Sequence, residues 1–534
     1  MEWFLKLTPG ETGFYLRYLA IGIPAVALLT YAAAPWAERL VDLGRRCARR
    51  RKTAAFAVAL FAAAVTLLAA NVLLREQPVT DDEYVYLFQS RLLLSGHASA
   101  PAPPLPEFFS NVFVTVRDGR WFGQYPPGHP LALMPGILLG WPRGVPVLMA
   151  ALNALLSLAI LRRVLGPLWG FAATALLLTS PLFVLTGSTL LSHSTAYFAL
   201  ALATWGSLRA LDRDGIGTGL VAGAGLGLLL LARPYTALTL GVFPAGLLVL
   251  AALRRRRRAI LSAFGVSVMA GIGLLLYNQA VTGNPFVTGY QAVRGSSMIE
   301  FGFGPIVPGV HDHTPMQGLR NAALLAIRLH FWSWGWPLTA LPLALACARR
   351  PERVRDAAPA RFAAAALLAG LASYVPYWSI GVNDTGPVKT YEMLLPVALL
   401  GAIGLRRASE RWGLRFVAAG TAASMATALV IFWPPQVLHL RTLSAGIAEP
   451  LAAVEAVVEA PAIVFVNSMQ TQPARSWVYG HPNPRPDLSD PVLYVADLGP
   501  SNVRFWERHR ERRPYRLSAR GGHYVVEPLF RESP

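Results

Sequence analysis

Residues Val164–Leu208 run for 45 positions without an Asp, Glu, Lys or Arg. A helix needs about 20 apolar residues to cross a bilayer core, so this stretch is too long for one crossing. It reads as two helices, broken around Thr186-Gly187-Ser188 and restarting near His193. Ala54–Leu74 adds 21 uncharged residues, and further apolar stretches fall near 15–36, 144–161, 215–232, 235–253, 259–279, 330–348, 362–380, 390–405 and 416–433. Together they predict about twelve spans. Residues 129–140 are apolar but short, and read as a re-entrant or interfacial segment. Only 14% of the 534 residues are charged, against about 25% in soluble domains. A string of soluble domains and a disordered chain are both excluded. Two cysteines in a chain of this length exclude a small disulfide scaffold.

The formal net charge is nevertheless +19. Nucleic acid, an anionic membrane surface or an orientation signal would each explain it. Its location decides. The connections 38–53, 162–163, 209–214, 254–258, 349–361 and 406–415 hold 25 bases and 7 acids, a net of +18. The rest of the chain nets +1. These six connections share one side when the spans alternate, and Lys and Arg accumulate in cytoplasmic loops. Arg254–Arg258 is then a basic stop between two spans, and no nucleic-acid partner is expected. The other side receives both termini, the loops 75–128 and 280–329, and everything after residue 433. The first stretch could also be a signal peptide cut near Tyr31–Ala34, but acids among its first residues and Pro35 after the cut favour a retained span. Cys47 and Cys347 fall on the cytoplasmic side, where thiols stay reduced.

The fold class expected is an all-α polytopic membrane domain over 1–433, with a small extracytoplasmic α/β domain over 434–534. In the tail, Ala462–Val466 and Val492–Ala496 read as buried strands and 501–511 as a helix. Residues 515–526 carry a strand–Gly521-Gly522–strand hairpin signal. No catalytic motif appears there, so a structural or acceptor-binding role is expected.

Chemistry concentrates in the loop 75–128. Asp81-Asp82-Glu83 stand a few residues past the membrane exit at Leu74. Desolvation and mutual repulsion near a bilayer raise carboxylate pKa values and make a better proton acceptor. The same acids would also suit the first turn of a helix over Tyr84–Ser95. Later in the loop, Asp118-Gly119 marks a turn. An aromatic stretch, Trp121-Phe122-Gly123-Gln124-Tyr125, then leads into a rigid Pro126-Pro127-Gly128-His129-Pro130 corner. That segment is either a plain re-entry turn or an aromatic wall for a polar ligand.

These residues resemble a family. Asp82-Glu83-Tyr84 and Gln89 through Gly96, followed by Asp118-Gly119 through Pro130, are similar to the first extracytoplasmic loop of GT-C glycosyltransferases. The family 39 type, the bacterial dolichyl-phosphate-mannose–protein mannosyltransferase-like enzymes, is the nearest. Ser192-His193, Arg233-Pro234, Tyr277-Asn278, Gly283-Asn284-Pro285, His313-Thr314-Pro315, Gly335-Trp336-Pro337 and Gly386-Pro387 through Glu392 and Pro396 follow in the order the resemblance requires. It covers roughly residues 55–410. Where the family usually has Arg-Tyr after Gly-Pro, this chain has Val388-Lys389-Thr390-Tyr391.

The resemblance implies an enzyme that takes a sugar from a polyprenyl-phosphate carrier and passes it to a protein, lipid or cell-envelope polysaccharide outside the cytoplasm. Asp82 would be the general base and Glu83 its assistant. Arg233 and Lys389 would meet the donor phosphate, and Tyr125, His129, His193 and Glu392 would line the substrate site. No cofactor is expected, and no Gly-rich nucleotide loop is found. His311 and His313 with Asp312 are considered as metal ligands and set aside, because three neighbours in one loop seldom converge on one ion. The alternative reading is a transporter or lipid flippase of envelope precursors. Such proteins keep ionisable residues at the midplane, whereas here they gather at one face.

Overall fold

The computed structural model describes residues 9–109, 113–294, 301–307, 311–348, 354–381, 384–467, 484–520 and 523–529. It is mostly helical. The first helices are α1 (Pro9–Ala33), α2 (Ala37–Arg49) and α3 (Arg51–Leu68), then α4 (Asp81–Leu94) and the short α5 (Gly128–Leu138). The bundle continues with α6 (Gly144–Leu165), α7 (Pro167–Leu178), α8 (Pro181–Gly187), α9 (His193–Asp212), α10 (Ile216–Ala232), α11 (Pro234–Thr239), α12 (Val242–Leu253) and α13 (Arg257–Thr282). After α14 (Gly289–Arg294) come α15 (Pro315–Trp334), α16 (Ala340–Cys347), α17 (Val354–Ser373), α18 (Leu394–Trp412), α19 (Leu414–Thr427) and α20 (Trp433–Val457).

Six helical runs among the described residues are long and apolar enough to cross a membrane, or seven if the bent pair α7 and α8 counts as one span. The sequence reading expects about twelve. The difference lies in apolar helices that are short or broken. The stretch expected at 235–253 is split between α11 and α12, and α10 is only 17 residues long. The expected break near 186–188 is present: α8 ends at Gly187 and α9 restarts at His193.

Close backbone approach organises the bundle. A Cβ at Gly219 of α10 would lie 2.0 Å from the Ala259 carbonyl of α13, and one at Gly225 would lie 2.3 Å from Ala203 N of α9. Small residues let helices meet this closely where side-chain hydrophobicity offers no drive between them. The central core is built from Phe183, Tyr197, Trp334, Tyr391 and Val397.

The basic connections meet on one face. Arg162 donates to the Ala48 carbonyl, Arg163 to Asp212 at 2.7 Å, and Arg256 to the Asp212 carbonyl at 3.1 Å. Arg415 pairs with Glu38 at 2.6 Å, and Arg407 donates to the carbonyls of Ala346 and Ala348 at the end of α16. These contacts join the connections whose charge defined the orientation signal.

At the opposite face, β1 (Ala100–Pro101), β2 (Val114–Arg117) and β3 (Arg120–Gly123) form an antiparallel sheet in the order β1-β3-β2. Its hairpin turns at Asp118 and Gly119, both at positive φ, the geometry that suits strand twist. β4 (Gly304–Val307) pairs with β5 (His311–His313). The C-terminal sheet has the order β7-β6-β8-β9, from β6 (Ala462–Val466), β7 (Val492–Ala496), β8 (Arg513–Arg520) and β9 (His523–Pro528). β6 is parallel to β7 and β8, and β9 is antiparallel to β8. The helix expected at 501–511 is shorter, Asn502–Trp506, and the expected Gly521-Gly522 turn lies outside the described residues. One helical run, Leu414–Val457, continues across residue 433 before the sheet begins. The sheet lies on the α4–α5 loop through Phe108, whose ring centroid is 4.9 Å from Phe505 and 6.2 Å from Phe465.

Candidate active site

Thr80 is extended (φ −142°, ψ 152°), and Asp81, Asp82 and Glu83 form the first turn of α4. Acidic side chains there oppose the positive end of the helix dipole, so the helix-start reading of this triplet holds. Successive residues on a helix point about 100° apart, and the carboxylates of Asp82 and Glu83 therefore face different surroundings. Glu83 is fully buried and Asp82 is half-buried.

Asp82 accepts a hydrogen bond from the Tyr125 hydroxyl. Burial and the Asp82 carboxylate push that hydroxyl far above its usual range, so it stays protonated and donates. Gln89, two turns along α4 from Asp82, fixes Tyr125 by its backbone. Its Nε2 donates to the Tyr125 carbonyl at 2.6 Å, and its Oε1 accepts from Tyr125 N at 3.2 Å. The same Nε2 reaches the Tyr277 hydroxyl at 2.8 Å. Tyr125 packs on Tyr86, one turn past Asp82, with centroids 4.4 Å apart, and on Tyr290 at 5.5 Å.

From Tyr86 the contacts run to the cations. Its hydroxyl donates to Ser192 Oγ at 3.0 Å, and Arg233 Nη1 reaches the same oxygen at 3.1 Å. Arg233 Nε lies 3.3 Å from Glu392 Oε1, and His193 Nδ1 is 3.2 Å from that oxygen. Arg233 keeps 21% of its side chain exposed, while Glu392 and His193 are buried. Arg233 sits there because Pro234 cannot continue α10, which ends at Ala232.

Lys389 is the second expected cation. Its Nζ donates to the Ser379 carbonyl and sits 3.6 Å from the Tyr377 ring centroid. Tyr374 donates its hydroxyl to the Lys389 carbonyl at 2.9 Å and also neighbours Arg233. Gly386, at φ +109°, leads into this segment, and a Cβ there would meet Trp332 at 2.6 Å.

His129 is buried under the Tyr86 ring, with centroids 4.6 Å apart. Its Nε2 donates to the Leu190 carbonyl at 2.7 Å, which leaves Nδ1 to accept from Thr195 Oγ1 at 2.9 Å. Burial brings its pKa down to about 4, so the ring is neutral at physiological pH.

Glu83 has three donors: Val79 N at 2.8 Å, Leu190 N at 2.7 Å and Arg143 Nη1 at 3.3 Å. Burial pushes its carboxyl above the ordinary carboxylate range, and Arg143 and the two backbone N–H groups pull it back. His313, by contrast, lies in β5 with its Nε2 bonded to the Val375 carbonyl at 2.9 Å. Among the described residues, no group of three His, Cys, Asp or Glu side chains is arranged to hold a metal.

The apolar side of the site is a small pocket between helices. Ile160, Leu200, Leu240, Phe243, Phe362 and Leu399 are among its walls, and Glu392 lies in its lining. The structure thus gathers Asp82, Tyr125, His129, His193, Arg233 and Glu392 about one centre. Lys389 joins through Tyr374, and Glu83 is sealed beneath. Sequence reasoning overlooked Arg143, although it is a lone base at the N-terminal start of α6. It also overlooked Tyr86, although the i to i+4 spacing from Asp82 places both on one helix face.

No family model matches the sequence, and no curated protein matches it. Solved structures match in fold. The chain is similar to ArnT from Cupriavidus metallidurans bound to undecaprenyl phosphate, with a TM-score of 0.55 and 15% identity, covering 88% of this chain and 97% of that one. For the apo state of the same protein the TM-score is 0.54 at 13% identity, covering 89% and 98%. The likeness to ArnT shows a fold shared along most of both chains, and it does not single out family 39. The Archaeoglobus fulgidus oligosaccharyltransferase in its apo form also matches, at a TM-score of 0.41 and 14% identity, covering 73% of this chain and 56% of that one.

Proposed function

We propose that this chain is a GT-C glycosyltransferase. It moves a sugar from a polyprenyl-phosphate-linked donor to an acceptor hydroxyl at the outer face of the cytoplasmic membrane. The observation that carries the reading is one accessible carboxylate, Asp82, joined through Tyr125, Tyr86 and Ser192 to an arginine beside an apolar pocket. A lipid-linked sugar phosphate has this polarity: an apolar tail, an anionic junction and a hydroxyl-rich head. The ArnT structure with undecaprenyl phosphate supports the lipid class.

The tail lies in the pocket and the phosphate meets Arg233, with Lys389 as the outer cation. The acceptor hydroxyl replaces Tyr125 at Asp82 and gives it its proton. The acceptor oxygen bonds to the anomeric carbon as the bond from that carbon to the phosphate oxygen breaks. The electron pair leaves on the phosphate, where Arg233 offsets its charge. Attack opposite the leaving group inverts the anomeric centre. Glu392 and His193 hold Arg233 in place. Neutral His129 and Tyr125 shape the wall.

The contacts that join five of the basic connections support a cytoplasmic basic face. Asp82, Arg233 and the C-terminal domain, taken as residues 434–534, are then outside. Impermeant thiol reagents should label single cysteines introduced in 75–128 from outside the cell and spare those in 349–361. Reversed labelling overturns the orientation.

The test of the activity uses the full chain in lipid nanodiscs with cell-envelope extract as acceptor source. A panel of undecaprenyl-phosphate monosaccharides (mannose, glucose, galactose and arabinose) supplies the donor. Release of undecaprenyl phosphate from at least one donor, with sugar passed to an extract component, is expected. Release from none, with no retention of undecaprenyl phosphate itself, overturns the reading and revives the transporter alternative.

A further inference from the structure

The turn 188–192 is held from both sides of the site. Glu83 accepts from Leu190 N at 2.7 Å, and His129 donates to the Leu190 carbonyl. Arg143 Nη1 reaches the Ser188 carbonyl at 3.3 Å and Glu83 Oε2 at 3.3 Å. Two residues on, Ser192 receives Tyr86 and Arg233, and His193 meets Glu392. Glu83 directly follows Asp82 on α4. One carboxylate therefore ties the helix that carries Asp82 to the turn that engages Arg233.

This tie is an expensive way to hold a fold. Glu83 is 0% exposed and Arg143 3%. Arg143 Nε and Nη2 are buried and have no hydrogen-bond partner among the described residues. Buried N–H groups without partners cost stability, and buried ion pairs can often be replaced by apolar side chains without loss. Stability alone does not account for an arginine here, whereas positioning does.

We propose that Arg143 is a positioning residue for sugar transfer, acting through Glu83 to hold Asp82 and Arg233 at a fixed separation. The proposal rests on the transferase reading above. Arg143 orients the Glu83 carboxylate so that its other lone pairs meet Val79 N and Leu190 N, and it anchors the Ser188 carbonyl in the same grip. Without it the base and the phosphate cation lose register, while the donor still binds at Arg233 and in the pocket. Displacements near 1 Å at a reacting centre can cost about 100-fold in rate.

The variants are Arg143→Met, Arg143→Lys and the double Glu83→Gln/Arg143→Met, each as the full chain in nanodiscs with the donor that wild type turns over. The double variant leaves neither charge of this pair buried without its partner, so it separates function from folding. With the folded fraction read by thermal unfolding, kcat per folded protein is expected to fall about tenfold or more and the donor KM to stay within about threefold. Arg143→Lys should recover part of kcat. Wild-type kcat in the folded double variant, or a loss that follows the folded fraction, overturns the proposal. If wild type releases undecaprenyl phosphate from no donor, the transferase reading fails and this proposal with it. Active wild type with unaffected variants sinks only the role of Arg143.

Discussion

Two ion clusters flank the turn 188–192, and they differ in access. The Glu83–Arg143 pair is closed, with side chains 0% and 4% exposed. The Arg233–Glu392–His193 cluster keeps an open edge at Arg233 and borders both Ser192 and an apolar pocket. Similar residue types thus serve different ends. A charge that must meet a reactant needs an exposed edge, which Asp82 and Arg233 keep and Glu83 lacks. A charge that is fully enclosed, with both oxygens already accepting from protein, cannot reach a substrate and can only position others. The contrast also separates Asp82 from Glu83, adjacent in sequence and equal in chemistry.

The comparison is open to attack at several points, in order of expected effect. Asp82→Asn should lower the transfer rate by about 10²–10⁴, the span of general-base catalysis, with undecaprenyl phosphate affinity unchanged by native mass spectrometry. A rate within threefold of wild type would remove Asp82 from the open side. Arg233→Met should lower kcat/KM by about 10²–10³ and weaken undecaprenyl phosphate binding, because it removes charge stabilisation of the leaving group. Glu83→Ala leaves Arg143 buried without its anion, so it should destabilise the fold by about 3–5 kcal/mol. Thermal unfolding in nanodiscs reads this, and an unshifted midpoint would contradict the closed assignment. Lys389→Met should reduce kcat/KM by only about threefold to tenfold, because its Nζ is already engaged by the Ser379 carbonyl and the Tyr377 ring.

The smallest effect concerns pH. His129 has its folded pKa depressed to about 4, below the ordinary value of about 6.5. The unfolded chain therefore binds a proton first. The stability contributed by neutral His129 is complete above about pH 6.5 and is lost as pH falls toward about 4. His129→Gln should flatten that part of the unfolding-temperature profile. An identical slope would place the titration elsewhere.

Much of the frame was legible because membrane helices obey simple rules. Uncharged length marked α3 and α6, Pro234 ended α10, and arginine placement anticipated the face where Arg162, Arg163 and Arg256 meet their partners. The strands β6 and β7 appeared at their expected bounds, because short apolar runs in a polar tail have few other uses. The site was legible only in part. Asp82, Arg233 and Glu392 were singled out by motif, and nothing local foretold that Glu83 would be sealed. Its partners Arg143 and Leu190 are 60 and 107 residues away, so the distinction between the two carboxylates is tertiary. The span count was also hard to read, because helices broken at Pro or Gly look continuous to a hydropathy window.

The central claim is that a polyprenyl phosphate lies with its phosphate at Arg233 and its tail in the pocket, facing Asp82. An electron cryomicroscopy structure of the full chain with undecaprenyl phosphate tests it most directly. The account predicts phosphate density in ionic contact with Arg233, within about 4 Å, and tail density along Phe243 and Phe362. Phosphate density at the basic face or elsewhere, with Arg233 paired only to Glu392, would contradict it.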